Sequence, residues 1–315
     1  MVPNGGFFDL QVNGYGGVDF NTDGLTDTQL NAVCQRLEGD GVGGILATII
    51  TADLDAMCRR LRTLCQLRDR DPLAKRMIAG IHIEGPFINE TPGFRGAHPA
   101  DFVRPATESL MKRLLEAAGG LCRIVTLAPE RDPGLEVTRM LARAGVVASA
   151  GHCDPSLDKL KAAVDAGLSM FTHVGNGCAM TIHRHDNIIQ RALSLSDRLW
   201  LTFVADGVHL PWPALRNYLR AAMPERSIVV TDAMSAAGLG PGRYTLGHWD
   251  VLVGQDMVAR APDGSHLIGS AGTMPRSHQN LVNHLGLSQA EADRLTIDNP
   301  RAAVGHVVAA ETARN

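Results

Sequence analysis

Four residues with the chemistry of a hydrolytic centre follow short apolar runs of the sequence. Glu84, His152 and His173 combine one carboxylate with two imidazoles, which suits zinc or a similar divalent ion and leaves a coordination position for water. Such an ion lowers the pKa of the water and polarises an acyl oxygen. Asp232 could take the proton of that water and pass it to a leaving amine, or it could instead cap a helix. These residue types predict metal-assisted hydrolysis.

Eight short apolar runs predict the strands that position these side chains. Their bounds are Gly6–Val12, Gly44–Ile50, Met77–Glu84, Cys122–Ala128, Val146–Gly151, Met170–Val174, Leu201–Ala205 and Ser227–Thr231. Most are continuously apolar, as expected of parallel strands that are covered on both faces. Amphipathic segments between them predict helices at Asp27–Leu37, Asp55–Leu67, Thr107–Ala118, Pro133–Ala144, Pro155–Ala166 and Trp212–Ala222.

The alternation of strands and helices predicts an α/β fold, a (β/α)8 TIM-type barrel. An open doubly wound sheet is the alternative, but the residues that follow the first strand, 14–17, do not fit the GxGxxG phosphate-binding pattern. In a barrel, the carboxyl ends of all strands meet on the face where active sites are built. Polar residues lie at six of the predicted strand ends: Gln11 and Asn13, Glu84, His152, His173, Asp206 and His209, and Asp232. This convergence favours one functional site over unrelated structural residues.

The length and composition predict a single globular domain. Residues 1–315 are expected to form one hydrolase barrel, with a β-hairpin insertion around residues 240–269 and closing helices from Met274 to Val308. A net charge of -3, an aromatic fraction of 4% and the lack of Lys/Arg runs argue against a nucleic-acid partner. The N-terminal residues lack a signal-peptide pattern, no apolar run could span a bilayer, and the six cysteines form no CxxC pair. We therefore expect a cytoplasmic protein with reduced thiols and no membrane contact.

Eight stretches spread across nearly the whole chain carry a more specific signal. They are DLQVNGYGGVDFN (Asp9–Asn21), HIEGPF (His82–Phe87), RGAHP (Arg95–Pro99), AGHCD (Ala150–Asp154), FTHVGNG (Phe171–Gly177), ADGVHLP (Ala205–Pro211), VTDAM (Val230–Met234) and LIGSAGTM (Leu267–Met274). In this order they resemble the N-acetylglucosamine-6-phosphate deacetylases of the amidohydrolase superfamily. The combination of HIEGPF with the THxxN and TDAM motifs is the most specific part of the resemblance.

The resemblance implies hydrolytic deacetylation of N-acetylglucosamine-6-phosphate to glucosamine-6-phosphate and acetate, in amino-sugar catabolism. It implies that Glu84, His152 and His173 hold the metal ion and that Asp232 is the catalytic acid/base. His98 would contact the substrate and help to polarise its acetamide carbonyl. The predicted substrate-binding residues are Gln11, Asn176, Gly177, Arg184 (for the phosphate), His209, Leu267, Ile268 and Gly269.

The first strand indicates how many metal ions are held. Many amidohydrolases carry HxH at this position and so bind a second metal, whereas this chain has Gln11 and Asn13. An amide is a poor ligand for a zinc-class ion compared with imidazole. We therefore expect one tightly held divalent ion, zinc first, with iron, cobalt or cadmium as alternatives. A second, weakly held metal ion is the other possibility left by this strand.

Three features depart from the family pattern. The first strand begins within ten residues of Met1 and the C-terminal end lacks a β-rich segment, so the family's small β-sandwich domain is expected to be largely absent. His183, Arg184, His185 and Asp186 form an unusually His-rich loop, which predicts an altered phosphate or sugar pocket, with a plain solvated loop as the alternative. This loop could cross the interface of a homodimer. Cys153, beside His152, is expected to pack and not to bind metal.

Other functions remain open at this level. One alternative is the deacetylase of another N-acetyl sugar phosphate, such as N-acetylgalactosamine-6-phosphate, and another is a cyclic-amide hydrolase or a deaminase. A deaminase would usually keep HxH in the first strand and would have no use for the phosphate arginine. A non-enzymatic binding protein would have no need of the acid/base Asp232.

Overall fold

The computed structural model describes residues 5–312, which contain a sheet of eight parallel strands. The strands are β1 Phe7–Val12, β2 Gly14–Tyr15, β3 Val18–Asp19, β4 Val42–Ile50, β5 Ile78–Glu84, β6 Cys122–Leu127, β7 Val147–Ala150, β8 Leu168–Phe171, β9 Trp200–Val204, β10 Ser227–Val230, β11 Gly242–Leu246, β12 Trp249–Val253 and β13 Ala259–Arg260. Neighbours in the large sheet follow the order β1-β4-β5-β6-β7-β8-β9-β10. A parallel bridge between Val12 and Ala233 joins its two edges. The sheet is therefore a nearly closed TIM-type barrel, and each of its strands was predicted.

Helices cover the outside of the barrel and follow its last strand. They are α1 Asp27–Gly39, α2 Leu54–Arg70, α3 Pro72–Met77, α4 Glu108–Ala117, α5 Glu136–Arg143, α6 Leu157–Asp165, α7 Ile188–Leu193, α8 Trp212–Ala221, α9 Met274–Leu285, α10 Gln289–Asp293 and α11 Asn299–Thr312. The six predicted helices between the strands are present. The sequence did not predict α3 and α7, because helices of six residues are too short to show a helical period.

Two predicted helix starts were wrong. The segment expected to begin at Pro133 becomes α-helical only at Glu136, because Gly134 and Leu135 take φ values of 65° and 58°. The helix expected from Pro155 begins at Leu157 instead, where the Ser156 hydroxyl accepts a hydrogen bond from the backbone N–H of Lys159 and caps it. In both cases the proline precedes the helix and does not belong to its first turn.

The barrel interior is apolar at the end away from the site and polar close to the carboxyl ends of the strands. The apolar cluster holds Phe8, Leu10, Leu46, Ile124, Val147, Met170, Val204, Ile228 and Val230 of the barrel strands, with Ala303 and Val304 of α11. All other described residues of this cluster come from barrel strands, so the cluster lies inside the barrel. Helix α11 covers the barrel opening at this end. The interior is thus a packed core and not a channel.

Buried hydroxyl and imidazole groups form the next layer toward the site. His82 of β5 contacts the carbonyl oxygen of Leu10 through Nδ1 and the hydroxyl of Thr126 through Nε2, at 3.1 and 2.7 Å. Thr126 in turn contacts Thr172, which contacts Ser149, at 2.7 and 2.6 Å. Burial lowers the pKa of His82 to about 4, so this imidazole is neutral. The layer supports the strand ends with satisfied polar contacts.

A three-stranded antiparallel sheet, β11–β13, follows the last barrel strand where the sequence predicted a hairpin. The backbone N–H of Gly247, in the β11–β12 turn, donates to Asp19 at 2.6 Å, and the indole N–H of Trp249 donates to the carbonyl oxygen of Ala97 at 2.7 Å. The turn therefore connects the region after β1 with the loop that carries His98. The assignment of residues 1–315 to one domain and the expected lack of a β-sandwich stay predictions. Within residues 5–312, no helix is long and apolar enough to span a membrane.

Asp9, in β1, is a carboxyl group buried beneath the strand ends. It accepts hydrogen bonds from the backbone N–H groups of Gln11 and Thr231 and from the Thr231 hydroxyl. Burial raises the pKa of Asp9 from 3.8 to about 7, although these hydrogen bonds act in the opposite direction. The folded protein therefore holds a proton on Asp9 over a pH range in which the unfolded chain has released it.

This raised pKa predicts how Asp9→Asn changes the pH dependence of stability. The stability that the Asp9 proton contributes is complete below pH 3.8 and is lost as the pH rises through about 7. An asparagine has no such proton, so we expect the Tm of the variant to rise relative to that of the wild type across this range. Thermal unfolding at several pH values measures the difference, and a difference that does not change with pH would contradict the prediction.

Candidate active site

Three predicted site residues share an uncommon backbone conformation. His152, His173 and Asp232 each lie two residues beyond the end of a barrel strand, and their φ angles are 50°, 33° and 51°. Non-glycine residues rarely adopt positive φ, and those that do cluster at functional sites. The described residues include only two further non-glycine examples, Leu135 and Met257. The unusual backbone conformation therefore occurs at three of the strand ends where the sequence predicted site residues.

The buried Glu84 carboxylate, at the end of β5, contacts both histidines. Its Oε1 lies 2.9 Å from Nε2 of His173 and 3.3 Å from Nε2 of His152. Burial alone would raise the pKa of Glu84, but hydrogen bonds from the two imidazoles hold it well below its ordinary value. Glu84 is therefore ionised, and one of its oxygens is shared by two potential ligand nitrogens.

Gln11 lies on the other side of this carboxylate. Its Nε2 donates to Oε2 of Glu84 at 3.1 Å, and the side chain is buried. The amide therefore holds the carboxylate in place from the first barrel strand. The predicted contact between Gln11 and substrate stays a prediction.

His98 also lies close to His152, which contacts Glu84 as well. The Nε2 atoms of the two rings lie 3.3 Å apart, and Nδ1 of His98 lies 2.8 Å from the Thr51 hydroxyl. Burial and the neighbouring His152 lower the pKa of His98 to about 3, so its imidazole is neutral. The ligand atoms of Glu84, His98 and His152 all lie within 4.8 Å of one another. These three side chains form a group that could hold a metal ion, and His173 also lies beside Glu84.

Asp232 approaches this cluster from the end of β10. The Asn13 side chain donates to its Oδ1 at 2.7 Å. Burial, together with repulsion from Glu84, raises the pKa of Asp232 to about 6, although His173 and Asn13 favour the ionised form. A carboxyl group with a pKa near neutrality can accept a proton and later return it.

His209 forms an ion pair with Asp206 in the loop that follows β9. Its Nδ1 lies 2.7 Å from Asp206 Oδ2, and Asp206 Oδ1 accepts the backbone N–H groups of Val208 and His209. Burial would lower the pKa of His209, but the Asp206 contact outweighs it and raises the pKa. With its Nδ1 proton on Asp206, the other ring nitrogen of a protonated His209 is a hydrogen-bond donor.

The Asn176–Gly177 turn packs directly against a predicted metal ligand. A Cβ atom at Gly177, where φ is 60°, would lie 2.9 Å from Nδ1 of His152, so the turn needs glycine to approach the ring. Three buried atoms of the predicted site residues and of Asn13 have no hydrogen-bond partner among residues 5–312: Asn13 Oδ1, His173 Nδ1 and Asn176 Nδ2. Buried polar groups are normally paired, so each of these atoms is available to a ligand or water.

The His-rich loop lies at the edge of this region. Arg184 is exposed, as are His183 and His185, and no acidic side chain among the described residues pairs with its guanidinium. A cavity of about 460 Å³ is lined by Phe94, Asp154, Thr181, Ile182, His183, Asp186, Asn187 and Arg191. Its wall joins the site through Phe94, whose carbonyl oxygen lies 2.8 Å from Nδ1 of His152. The exposed guanidinium of Arg184 is therefore available to an anionic ligand.

The Leu267–Gly269 segment runs beside Asp232. The backbone N–H of Ser270 donates to the carbonyl oxygen of Asp232 at 3.0 Å. The Ile268 side chain is fully buried in the apolar cluster of the β11–β13 sheet. Any contact of Ile268 with a sugar therefore has to come from its backbone.

Comparison with known proteins decides the family. No protein-family model matches the chain. The N-acetylglucosamine-6-phosphate deacetylase of Bacillus subtilis is 32% identical over 302 residues, which cover 95% of this chain and 74% of that protein. The chain belongs to the N-acetylglucosamine-6-phosphate deacetylase family. A bovine enzyme of the same name is 34% identical, over 91% of this chain and 70% of its own length.

One further relative of this deacetylase family is similar in sequence and fold, and another is similar in sequence. The Mycobacterium smegmatis N-acetyl-D-glucosamine-6-phosphate deacetylase, solved as an aspartate-to-alanine mutant with N-acetyl-D-glucosamine-6-phosphate, is 32% identical. It aligns with a TM-score of 0.86 over 95% of this chain and 77% of that one. An N-acetylgalactosamine-6-phosphate deacetylase of Escherichia coli O157:H7 is 31% identical, over 95% of this chain and 77% of its own length.

Two contacts at this site were not predicted from the sequence. Thr51, which holds His98, directly follows β4, so the strand-end argument that found Glu84 would have found it too. Phe94 contacts His152 through its backbone carbonyl oxygen, and every residue carries that group. Such a contact has no signal in the sequence.

Proposed function

We propose that this chain hydrolyses N-acetylglucosamine-6-phosphate to glucosamine-6-phosphate and acetate. The observation that carries the proposal is the arrangement of Asp232 beside Glu84, His152 and His173 in a chain of the deacetylase family. The Asp232 carboxyl group stands beside a carboxylate and imidazoles, which is the arrangement that amide hydrolysis by an activated water needs.

The residues present fit one divalent metal ion. Glu84, His152 and His173 are the proposed ligands, because Oε1 of Glu84 is shared by the two imidazole Nε2 atoms. When bound, the ion supplies Lewis-acid activation of water and polarisation of the acetamide oxygen. Zinc suits this ligand set best, and iron or cobalt fits it as well.

The chain's own side chains then move the protons. Asp232 takes a proton from the attacking water at the carboxylate and gives it to the nitrogen of the leaving amine, while Asn13 holds Oδ1 at 2.7 Å. In the proposed tautomer, Nδ1 of His98 accepts from the Thr51 hydroxyl, 2.8 Å away, and the single proton of this neutral ring is on Nε2. From there His98 donates to the oxygen of the acetamide as negative charge develops on it.

The remaining predicted residues bind the sugar phosphate. Arg184 pairs with the phosphate through its guanidinium, which suits a two-point contact with phosphate oxygens. Asn176, Gly177 and His209 contact the sugar, as do the backbone of Leu267–Gly269 and the amide of Gln11. We further propose a homodimer, in which the exposed His183–Asp186 loop reaches the partner's site.

A substrate panel tests the proposed function. The wild-type protein is incubated with the 6-phosphates of N-acetylglucosamine and N-acetylgalactosamine and with both unphosphorylated sugars, and acetate and bound metal are measured in each sample. We expect acetate release to be fastest from N-acetylglucosamine-6-phosphate. A metal-loaded protein that releases no acetate from any of them would contradict the proposal, and a preference for the galacto epimer would reassign the substrate.

The role of Arg184 gives a separate prediction. Arg184→Gln removes the charge that pairs with phosphate, so we expect KM for N-acetylglucosamine-6-phosphate to rise by about 10- to 100-fold, the worth of a charged hydrogen bond. The rate with unphosphorylated N-acetylglucosamine should not change. Arg198→Gln, which breaks an exposed pair with Asp165, is the matched control and should change neither value. An equal loss with both substrates would mean that Arg184 acts on the fold and not on the phosphate.

A further inference from the structure

Thr231, the residue before Asp232, connects the backbone on both sides of this carboxylate. Its hydroxyl donates to Asp9 Oδ2 at 2.5 Å and accepts the backbone N–H of Ala233 at 3.1 Å. Its own backbone N–H donates to Asp9 Oδ1 at 3.2 Å. The residues before and after Asp232 are thereby tied to one buried carboxyl group in β1.

The conformation of Asp232 needs such support. A φ of 51° is unfavourable for a residue with a side chain and persists only where its surroundings fix the neighbouring peptide groups. The carbonyl oxygen of Asp232 accepts a hydrogen bond from Ser270, and that of Ala233 accepts one from Asn13. The N–H of Ala233 completes this set, and the Thr231 hydroxyl is its acceptor.

We propose that Asp9 and Thr231 are positioning residues for the reaction: through the Thr231 hydroxyl they hold the Asp232 backbone so that its carboxylate stands beside Glu84 and His173. This inference rests on the proposed role of Asp232 as the acid/base. It adds a chain of contacts that runs from β1, beneath the site, to the residue that moves the proton.

A purely structural role for the pair is the competing explanation. Asp9 is only 2% exposed, and taking a carboxyl group out of water is unfavourable, so an apolar pair would fill the same space more favourably. The Thr231 hydroxyl also uses both of its hydrogen-bonding functions, because it donates to Asp9 and accepts from the backbone N–H of Ala233. The pair is therefore better suited to fixing the backbone turn at Asp232 than to filling space in the core.

Removal of the hydroxyl separates the two explanations. We expect Thr231→Val to lower kcat by about 100-fold, the loss that a misplacement of about 1 Å can cause, with KM and metal content unchanged. Thr231→Ser keeps the hydroxyl and should retain most of kcat. The matched control is Thr296→Val, which removes a fully buried hydroxyl bonded to the carbonyl oxygen of Ala292, and it should leave kcat unchanged.

Two results would overturn the proposal: a folded Thr231→Val variant with wild-type kcat, or equal losses in Thr231→Val and Thr231→Ser. If Thr231→Val does not fold, the double variant Asp9→Asn/Thr231→Val replaces the buried carboxyl group that has lost its hydroxyl partner, and its kcat should still be low. Recovery of wild-type kcat in the double variant would also overturn it.

A crystal structure of the variant keeps this test independent of the proposed function. If the wild type releases no acetate, the proposed function fails, but the position of the Asp232 carboxylate in Thr231→Val can still be compared with the wild type. A displaced carboxylate supports the positioning role, and an unmoved one overturns it.

Discussion

Asp232→Asn is expected to lose nearly all acetate release, with kcat lower by about 10²- to 10⁴-fold, the usual contribution of a positioned acid or base. The amide oxygen can still accept the hydrogen bond from Asn13, so the side chain should keep its place. An amide cannot carry a proton from water to the leaving amine, and this loss alone explains the effect. Steady-state kinetics and metal analysis of the same preparation measure both properties.

The metal content decides how the Asp232 result is understood. Asp158→Asn, an exposed change in the first turn of α6, is the matched control and should keep full activity. If Asp232→Asn loses its metal together with its activity, then Asp232 is chiefly a ligand. If it keeps substantial turnover, another group carries the proton.

His173→Asn is expected to lose both the metal ion and activity, whereas His98→Asn should keep the ion and lose turnover. Both rings are buried beside His152, but only His173 shares the Oε1 atom of Glu84 with it. Loss of a ligand should weaken metal binding by more than about 100-fold, because even a residue that only orients a ligand is worth about 10- to 100-fold. Titration of the metal-free variants with zinc measures the two affinities.

The opposite pattern would exchange the two roles. If His98→Asn loses the metal and His173→Asn retains it, the third ligand is His98, in the group whose atoms lie within 4.8 Å of one another. Equal loss in both variants would point to a shared contribution to the buried cluster and not to a single third ligand.

The barrel and its strand-end residues could be predicted because both follow from local patterns. Continuous apolar runs identify buried parallel strands, and the topology of such a barrel brings Glu84, His152 and His173 to one face without any knowledge of distances. The same reasoning places Asp232 at the end of β10, where the structure has it.

The contacts among these residues could not be predicted in the same way. Asn13 reaches Asp232 across 219 positions of sequence, and Thr51 reaches His98 across 47. Such pairs depend on the register of neighbouring strands and on loop paths, which change by ångströms without changing the apolar pattern. The backbone departures at Gly134 and Leu135 were missed for a related reason, since helical periodicity continues through them.

The three strand-end residues with positive φ also bear on how this protein could be stabilised. Each such conformation raises the free energy of the folded state by about 1–3 kcal/mol for a residue with a side chain. Glycine at His152, His173 or Asp232 would remove that penalty, but it would also remove an imidazole or a carboxylate from the site. The strand ends of this barrel are therefore positions where maximal stability and chemistry require different residues, and a search for stabilising substitutions should leave them unchanged.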